Sequence, residues 1–295
     1  MAMHSLQIQK NLEPTKTWQR PLAEKHSAAA ATAETFYIDL PKDHFIHKIV
    51  IHIDESTGKG FGKAGSLADD LLDIKLVGNG NKYLKDMIGT MCKTVMQMNK
   101  EKPATGVYVL FFSDPKIKEA KPLPTWVFTS LQLILTDNAP AASNYHNILV
   151  TLVESAYQNE DLTDWKVLIE KYVKWAHYGT NTLWQEYEHE RAYLVYGYIY
   201  AMDDNATLSS TIFDRIKIVG RKPTGEVISI DDVRISVLIA ENNGEIGIDT
   251  LATGYCFLEW AKGYPTKDFS SLISKLNIPT AGTNAGLRVL ERYVL

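Results

Sequence analysis

Short runs in which apolar and polar residues alternate recur along most of the chain, and such runs predict β-strands. In the run Phe36–Asp54, Ile49, Ile51 and Ile53 share one face, so this face is expected to be buried. Further runs of this kind are bounded by Gly, Pro, Asn, Asp or Ser, which are typical of turns. They predict strands at Leu72–Val77, Gly106–Phe112, Trp126–Thr136, Asn147–Glu154, Ala192–Met202, Ile212–Val219, Gly254–Trp260, Leu272–Ile278 and Leu287–Val294. The alternation therefore predicts an all-β protein.

Three stretches depart from this rhythm and predict helices. Apolar residues in Lys82–Met98 recur at spacings of three, four and seven, as in an amphipathic helix. Asp161–Lys174 begins with residues that can cap a helix and places Trp165 and Leu168 on one face. A further short helix is predicted within Ser229–Ile239.

The second half of the chain repeats the first. Segments beginning near Leu71, Gly106 and Ser130 resemble segments near Ile212, Gly254 and Ser274, at offsets of 142, 148 and 144 residues. In both halves the predicted order is strand, strand, turn, helix and three strands. This order suits an antiparallel jelly roll with a helix between its middle strands. We therefore predict an arm at 1–33, a first jelly roll at 34–157, a joining helix and linker at 158–182, and a second jelly roll at 183–295.

Composition and charge narrow the possible functions. The 295 residues allow two domains, and 45% hydrophobic with 22% charged residues is ordinary globular composition. With 31 basic and 35 acidic residues, the net charge is −4, which disfavours nucleic-acid binding. Cys92 and Cys256 are expected to be buried free thiols in matching places of the two halves. We expect synthesis in the cytoplasm, because neither a signal peptide nor an apolar membrane span is evident.

Several short patterns are typical of chemical sites, and each also has a structural interpretation. Gly60–Gly65 matches a dinucleotide-binding loop, but no long helix or parallel alternation follows it. We therefore interpret it as a loop between strands. His44, His47 and His52 do not place two ligands and an acidic partner on one strand face, so we expect solvated or interface histidines instead of a metal site.

The remaining patterns lie near the start of the second half. His189-Glu190 begins a zinc-protease motif that reaches Tyr193 where histidine is required. Glu186, Glu188 and Glu190 alternate as glycosidase carboxylates can, although a solvated strand end gives the same pattern. An aromatic group is interpreted as an anchor for the joining helix, while sugar stacking is the alternative; it comprises Trp165, Trp175, Tyr178 and Trp184.

Four segments resemble the double jelly-roll major capsid proteins of tailless icosahedral viruses, the lineage of tectiviruses, corticoviruses and adenovirus hexon. They are FYIDLPKDHFIHKIVIHI, LLDIKLVGNGNKYLKDM, LPTWVFTSLQLILT and NIPTAGTNAGLRVLERYVL. The resemblance extends over about 34–295 and is closest in length to small members from lipid-containing bacteriophages. It carries no catalytic, cofactor-binding or metal-binding residue over to this chain.

The resemblance implies two tandem eight-stranded barrels and a structural role without enzymatic activity or a cofactor. The expected assembly is a pseudo-hexameric homotrimer that tiles an icosahedral virion shell enclosing a lipid membrane. Expected partners are neighbouring capsomers, penton or vertex proteins and minor capsid proteins, with the arm contacting a neighbouring capsomer or the internal membrane. The alternatives are a two-barrel glycan-cleaving hydrolase and a sugar-binding module.

Overall fold

The fold is built almost entirely of antiparallel β-strands, as the alternating sequence predicts. The structure is a computed structural model, which describes residues 17–27, 32–60, 66–67, 70–114, 116–117, 120–141, 143–156, 162, 165–176, 184–204, 207–247, 250–279 and 285–294. The glycine-rich pattern Gly60–Gly65 and the aromatic Tyr178 fall largely or wholly outside these ranges. Neither α-helix in the described ranges has the length and hydropathy of a bilayer-spanning helix.

The first barrel comprises residues 18–156. Its elements in chain order are β1 (Trp18–His26), β2 (Thr35–Asp39), β3 (His44–Ser56), β4 (Ser66–Leu67), β5 (Leu71–Gly78), β6 (Lys82–Ile88), α1 (Gly89–Met98), β7 (Val107–Phe111), β8 (Leu123–Pro124), a 3-10 turn (Thr125–Val127), β9 (Leu131–Asp137) and β10 (Tyr145–Ala156). One sheet has the order β1-β10-β3-β7, with the short β4 and β8 also paired to β3. The other has the order β2-β9-β5-β6.

The second barrel comprises residues 168–294. Its elements are β11 (Leu168–Ala176), β12 (Trp184–Glu188), β13 (Leu194–Asp204), β14 (Thr207–Leu208), β15 (Arg215–Lys222), β16 (Gly225–Arg234), α2 (Ile235–Ile246), β17 (Tyr255–Tyr264), β18 (Ser271–Asn277) and β19 (Ala285–Val294). The strand orders are β11-β19-β13-β17 and β12-β18-β15-β16, which reproduce the orders of the first barrel strand for strand.

This correspondence confirms the internal repeat. The three segment pairs found in the sequence are the equivalent strands β5 and β15, β7 and β17, and β9 and β18. Gly106 and Gly254 precede β7 and β17, and both have positive φ, at 67° and 82°. Their carbonyl oxygens accept hydrogen bonds from Ile53 and Met202 on the neighbouring equivalent strands. Glycine suits this backbone conformation because it has no Cβ.

The arm and the joining helix of the sequence analysis are corrected by this repeat. Residues 18–26 form β1, which pairs along β10, so the arm does not extend to residue 33. The predicted helix Asp161–Lys174 is wrong over its second half, because Leu168–Ala176 is strand β11. Pairing of β11 with β19 on one edge and with β6 on the other outweighs the local helical spacing. The two misassigned segments are the equivalent first strands of the two barrels.

Four further predicted elements differ in type over part of their length or are divided, and one is Trp126–Thr136, which starts in the 3-10 turn and is a strand only from Leu131. The predicted strand Phe36–Asp54 is two strands, β2 and β3, which lie in different sheets on either side of Pro41. The predicted helix Lys82–Met98 is a strand up to Ile88 and a helix from Gly89, because β6 pairs with β5 as a hairpin. The helix predicted at Ser229–Ile239 begins only at Ile235, after β16. In Lys82–Met98 and Ser229–Ile239, the same apolar residues fit both a helical and a strand periodicity. Pairing with a neighbouring strand decides for the strand.

The two barrels share buried surface. Strand β13 points Tyr198 and Tyr200 into the core of its own barrel, while Ile199 and Ala201 pack in the core of the first barrel. This sheet is therefore buried on both faces, which explains why β13 is an almost uninterrupted apolar run. Strand β11 also extends the β6 edge of the first barrel in parallel. The resulting sheet has nine strands and crosses the boundary between the barrels.

Candidate functional site

The most elaborate polar arrangement in the described residues lies where the two barrels meet. Arg292 on β19 is fully buried, and its guanidinium contacts carboxylates from both barrels. Nη2 lies 2.7 Å from Asp114 Oδ2 of the first barrel. Nε lies 3.0 Å from Glu170 Oε1 on β11, and Nη1 lies 3.5 Å from Glu259 Oε1 on β17. One side chain thus links three elements across the junction.

Lys85 of the first barrel completes this buried cluster. Its Nζ donates to Glu170 Oε2 at 2.8 Å, and both side chains are fully buried. Burial lowers the pKa of the Lys85 ammonium, and the carboxylate of Glu170 opposes this shift. Burial also lowers the pKa of Arg292, but Glu170, Asp114 and Glu259 outweigh it, so the pKa of the guanidinium is raised. Glu170 bridges two cations with its two oxygens, so each charge in the cluster has a direct partner.

The rim of the junction carries additional contacts between the barrels. Lys116 Nζ lies 2.8 Å from Glu245 on α2 and 3.1 Å from Glu259. The Tyr255 hydroxyl donates to Thr90 Oγ1 on α1 at 2.6 Å, and the Gln97 amide donates to the carbonyl of Thr250 at 3.0 Å. These bonds surround a continuous apolar core.

The junction holds the barrels in one relative orientation. Apolar contacts favour burial but do not select one orientation of the two barrels. An ion pair with fixed hydrogen-bond geometry does favour one relative orientation. A buried charge that loses its partner is costly, so rotation of one barrel against the other is strongly opposed. The arrangement therefore supports a rigid two-barrel subunit.

Comparison with known proteins agrees with this architecture. No protein-family model and no curated protein sequence matches the chain. Among solved structures, the chain resembles the major capsid protein of Sulfolobus turreted icosahedral virus, with TM-score 0.70 and 13% identity over 95% of this chain and 97% of that one. It also resembles the major capsid protein of bacteriophage PM2, with TM-score 0.68 and 10% identity over 95% and 98%.

A further neighbour is VP54 of PBCV-1, fitted into a reconstruction of the virophage Sputnik, with TM-score 0.59 and 10% identity over 95% and 94% of the two chains. These neighbours match both barrels and the junction together, over nearly their whole length. The chain has the double jelly-roll fold. At such low identity the likeness concerns the fold, and function requires separate argument.

Within the second jelly roll, a buried network joins three groups in the order of a hydrolase triad. His189 Nδ1 lies 3.0 Å from Glu291 Oε1, and its Nε2 lies 2.5 Å from Ser274 Oγ. His189 also stacks on Tyr198 with ring centroids 3.7 Å apart. The side chains of Ser274, His189 and Glu291 are at most 3% exposed, so a substrate cannot reach the hydroxyl in this conformation. The network satisfies both ring nitrogens of His189 and the Ser274 hydroxyl, while Glu291 Oε2 has no hydrogen-bond partner among the described residues.

The three histidines of the sequence analysis, His44, His47 and His52, do not meet at one site. His44 Nδ1 contacts Asp43 at 2.6 Å, whereas His47 contacts Ser155 at 2.9 Å. Burial lowers the pKa values of His47 and His52. His52 lies opposite the isoleucine face of β3 and is half-buried, as its position in the alternation predicts.

The acidic set before β13 forms a charged strand end. Glu186, Glu188 and Glu190 are exposed, and two of them pair with lysines. Glu186 lies 2.7 Å from Lys275, and Glu190 lies 2.6 Å from Lys171. This confirms the structural interpretation of the alternation.

Both cysteines are free and buried, as predicted. Their supposed equivalence is wrong, because Cys92 lies in α1 and Cys256 lies in β17. Trp165 donates from Nε1 to the Pro122 carbonyl at 2.7 Å and stacks on Phe45, so it anchors the connection to the first jelly roll. Trp184 is 38% exposed, and the side chain of Trp175 lies outside the described set.

Sequence reasoning missed the junction residues. These residues lie in the predicted helix Lys82–Met98, the predicted joining helix and the predicted strand Leu287–Val294, and they are Lys85, Glu170 and Arg292, respectively. A usable signal existed in β19, where the charged pair Glu291-Arg292 stands between the apolar residues Val289-Leu290 and Tyr293-Val294. A charge inside an apolar run indicates a buried partner.

Proposed function

We propose that this protein is the major capsid protein of an icosahedral virus and acts as a structural subunit without enzymatic activity. The observation that carries the proposal is the tandem arrangement itself. Both jelly rolls match capsid proteins together over 95% of this chain and 97–98% of the first two neighbours. Jelly rolls serve many functions, so the proposal depends on the match of two fused rolls, with the same strand order, to whole capsid subunits.

The geometry of the junction supports a homotrimer. Within one chain, edge strand β6 of the first roll pairs in parallel with β11, the first strand of the second roll. The equivalent edge of the second roll is β16, and the equivalent first strand of the first roll is β1. In the described part of the chain, neither has a strand partner on its outer edge. We propose that β16 of one subunit pairs with β1 of the next.

Repeating one junction six times with roughly equal rotations closes a ring of six rolls, which corresponds to three chains. A heterologous contact that closes in this way gives a finite ring, whereas one that does not close gives a filament. Pairing would also cover two exposed sheet edges, which otherwise favour uncontrolled association. The resulting capsomer is pseudo-hexameric, with the intrachain and interchain junctions alternating.

The residues before β1 and the capsomer faces provide the remaining proposed contacts. Residues 1–16 lie outside the described ranges. We propose that they contact a neighbouring capsomer or the headgroups of a lipid membrane inside the shell. Penton or vertex proteins and minor capsid proteins are further proposed partners in the virion. Deletion of residues 2–16 tests the arm without removing β1, and unchanged shell assembly would contradict this role.

Size-exclusion chromatography with light scattering, followed by electron microscopy of assembled material, tests the function. A subunit of 33.2 kDa is expected to give a particle of about 100 kDa that persists on dilution. Icosahedral particles, or trimers that tile into shells, support the proposal. A monomer that remains dispersed at high concentration and hydrolyses or binds glycans would overturn it.

Hydrogen exchange tests the proposed strand pairing separately. If β16 pairs with β1 of the next subunit, backbone amides on the outer edge of Gly225–Arg234 exchange slowly in the trimer and rapidly in a monomer. Amides of the inner edge, which pair with β15, provide the internal control. A trimer with an unprotected outer edge would overturn the strand pairing and leave the capsid function standing.

A further inference from the structure

Three ionisable side chains converge at one end of the first jelly roll. Glu55 lies near the end of β3, Asp70 precedes β5, and His146 lies near the start of β10. Their ligand atoms all lie within 4.8 Å of one another. His146 Nε2 is 3.3 Å from Asp70 Oδ2 and 4.0 Å from Glu55 Oε2. The three residues come from both sheets of the roll, which meet at this end.

The imidazole of His146 is fixed with one nitrogen aimed at the two carboxylates. The side chain is fully buried, and Nδ1 lies 2.9 Å from Oδ2 of the fully buried Asp137. A carboxylate at Nδ1 holds a proton on that nitrogen, so Nε2 is the nitrogen that can bind a metal ion, in exchange for any proton it carries. Nε2 itself is buried and has no hydrogen-bond partner. A buried polar atom without a hydrogen bond calls for an explanation, and here it faces two anionic groups.

The carboxylate of Glu55 is also held in place by other groups. Glu55 Oε1 accepts from the backbone N–H of Ala141 and the side-chain amide of Asn144, both at 2.8 Å. Oε2 is therefore the oxygen that faces His146. The side chains of Glu55 and Asp70 are 21% and 30% exposed, so a small ion can enter from solvent. These supports resemble the outer hydrogen bonds that orient metal ligands.

We propose that Glu55, Asp70 and His146 form a binding site for a divalent transition-metal ion of the zinc type. Zinc binds imidazole nitrogen and carboxylate oxygen at about 2.0–2.2 Å, which separates tetrahedral ligands by about 3.3 Å. The separation of 3.3 Å between His146 and Asp70 already has this value, and the separation of 4.0 Å between His146 and Glu55 must shorten by about 0.7 Å. Water completes the coordination. The imidazole ligand disfavours calcium and magnesium, which prefer oxygen ligands throughout.

The bound ion would connect the two sheets of the first jelly roll. Glu55 and His146 belong to neighbouring strands of one sheet, whereas Asp70 leads into the other. The chain between Glu55 and Asp70 forms the connection from β3 to β5, so the ion also fixes both ends of this loop. Since binding requires the folded arrangement, the ion stabilises the native state.

Titration of the chelator-stripped full chain with Zn²⁺, in competition with a chromogenic chelator, tests the site. We expect one ion per chain. Asp70→Asn and Glu55→Gln are each expected to weaken binding at least about tenfold. Asp43→Asn is the matched control, because Asp43 contacts His44 on the same jelly roll without a third ligand nearby. It is expected to leave the affinity unchanged.

Cobalt provides a readout that does not depend on the carboxylate variants. Co²⁺ bound to the unaltered chain is expected to give visible d–d absorption, which His146→Gln abolishes. Circular dichroism checks that each variant is folded. Absence of stoichiometric zinc and cobalt binding by the unaltered chain would overturn the proposal. Binding that survives in both Asp70→Asn and Glu55→Gln would also overturn it, since the ion would then lie elsewhere.

Discussion

The guanidinium of Arg292 lies 2.7 Å from the carboxylate of Asp114, although these residues belong to different jelly rolls and are fully buried. The pair is separated by 178 positions in the sequence. It is the centre of the ion cluster that includes Lys85 and Glu170. The relative orientation of the two rolls thus depends on a few buried charges together with the apolar contacts around them.

Replacing Arg292 is expected to destabilise the whole chain. Arg292→Met leaves Asp114 with no guanidinium partner and removes one of the two cations beside Glu170, which should cost about 3–5 kcal/mol. Urea unfolding followed by circular dichroism measures the loss. Arg288→Met is the matched control on the same strand, because Arg288 is partly exposed and lies 3.5 Å from Asp203. Its cost is expected to be at most about 1 kcal/mol. Equal costs would contradict the special role of the junction.

Two helical glycines are expected to respond in opposite directions to alanine. A Cβ at Gly89, where β6 meets α1, would collide with the backbone carbonyl of Leu71. Gly89→Ala should therefore destabilise the protein by about 1–3 kcal/mol. Gly244 in α2 has nothing within 4 Å of the added carbon, so Gly244→Ala should stabilise by about 0.5–1 kcal/mol. Thermal unfolding compares the two variants, and a stabilised Gly89→Ala would refute the close packing at this site.

The two cysteines are expected to be unreactive in the folded chain. Burial raises the pKa values of Cys92 and Cys256 to about 12, so thiolate is scarce at neutral pH. Because thiolate is the reacting form, an aromatic disulfide reagent should label both thiols only after denaturation. Measuring labelling with and without urea tests this, and rapid labelling of the native protein would contradict the burial.

The contribution of His189 to stability is expected to fall as the pH decreases below about 6.5, the ordinary pKa of histidine. Burial lowers the pKa of His189 in the folded chain, while Glu291 opposes the shift. Between the folded pKa and about 6.5, the unfolded chain therefore binds the extra proton, so acidification favours unfolding by up to about 1.4 kcal/mol per pH unit.

His189→Gln is expected to reduce this pH slope. Ser274→Ala is the matched control, since it removes the partner of Nε2 but keeps the titrating imidazole. It should lower stability while the slope persists. Urea unfolding between pH 7.5 and 5 measures both, and an unaltered slope in His189→Gln would show that other groups dominate.

The N-terminal deletions separate β1 from the residues before it. Removing residues 2–16 should leave monomer stability nearly unchanged, whereas removing residues 2–27 also exposes the edge of β10 that β1 covers. The longer deletion should therefore lose trimers and favour aggregation. Light scattering of both deletions tests this. Intact trimers after the longer deletion would contradict the proposed contact between β1 and β16.

Much of the strand content and the internal repeat could be predicted because local patterns encode them. Alternation at Ile49, Ile51 and Ile53 corresponds to a fully buried face of β3. The sequence also signals the hairpin between β5 and β6, because Asn79-Gly80 lies between two apolar runs and Asn-Gly favours a tight hairpin turn. Both residues have positive φ in the structure, as this turn requires.

Amino-acid order alone therefore determined the all-β class, the duplication and most strand positions, since each depends on neighbours a few residues apart. Tertiary structure decided which strands pair, that β1 and β11 open the two rolls, and that Lys85, Glu170 and Arg292 meet. It also brought Glu55, Asp70 and His146 together. These relationships join residues that are far apart in the chain, and burial of charge or strand pairing selects them only after the two sheets have formed.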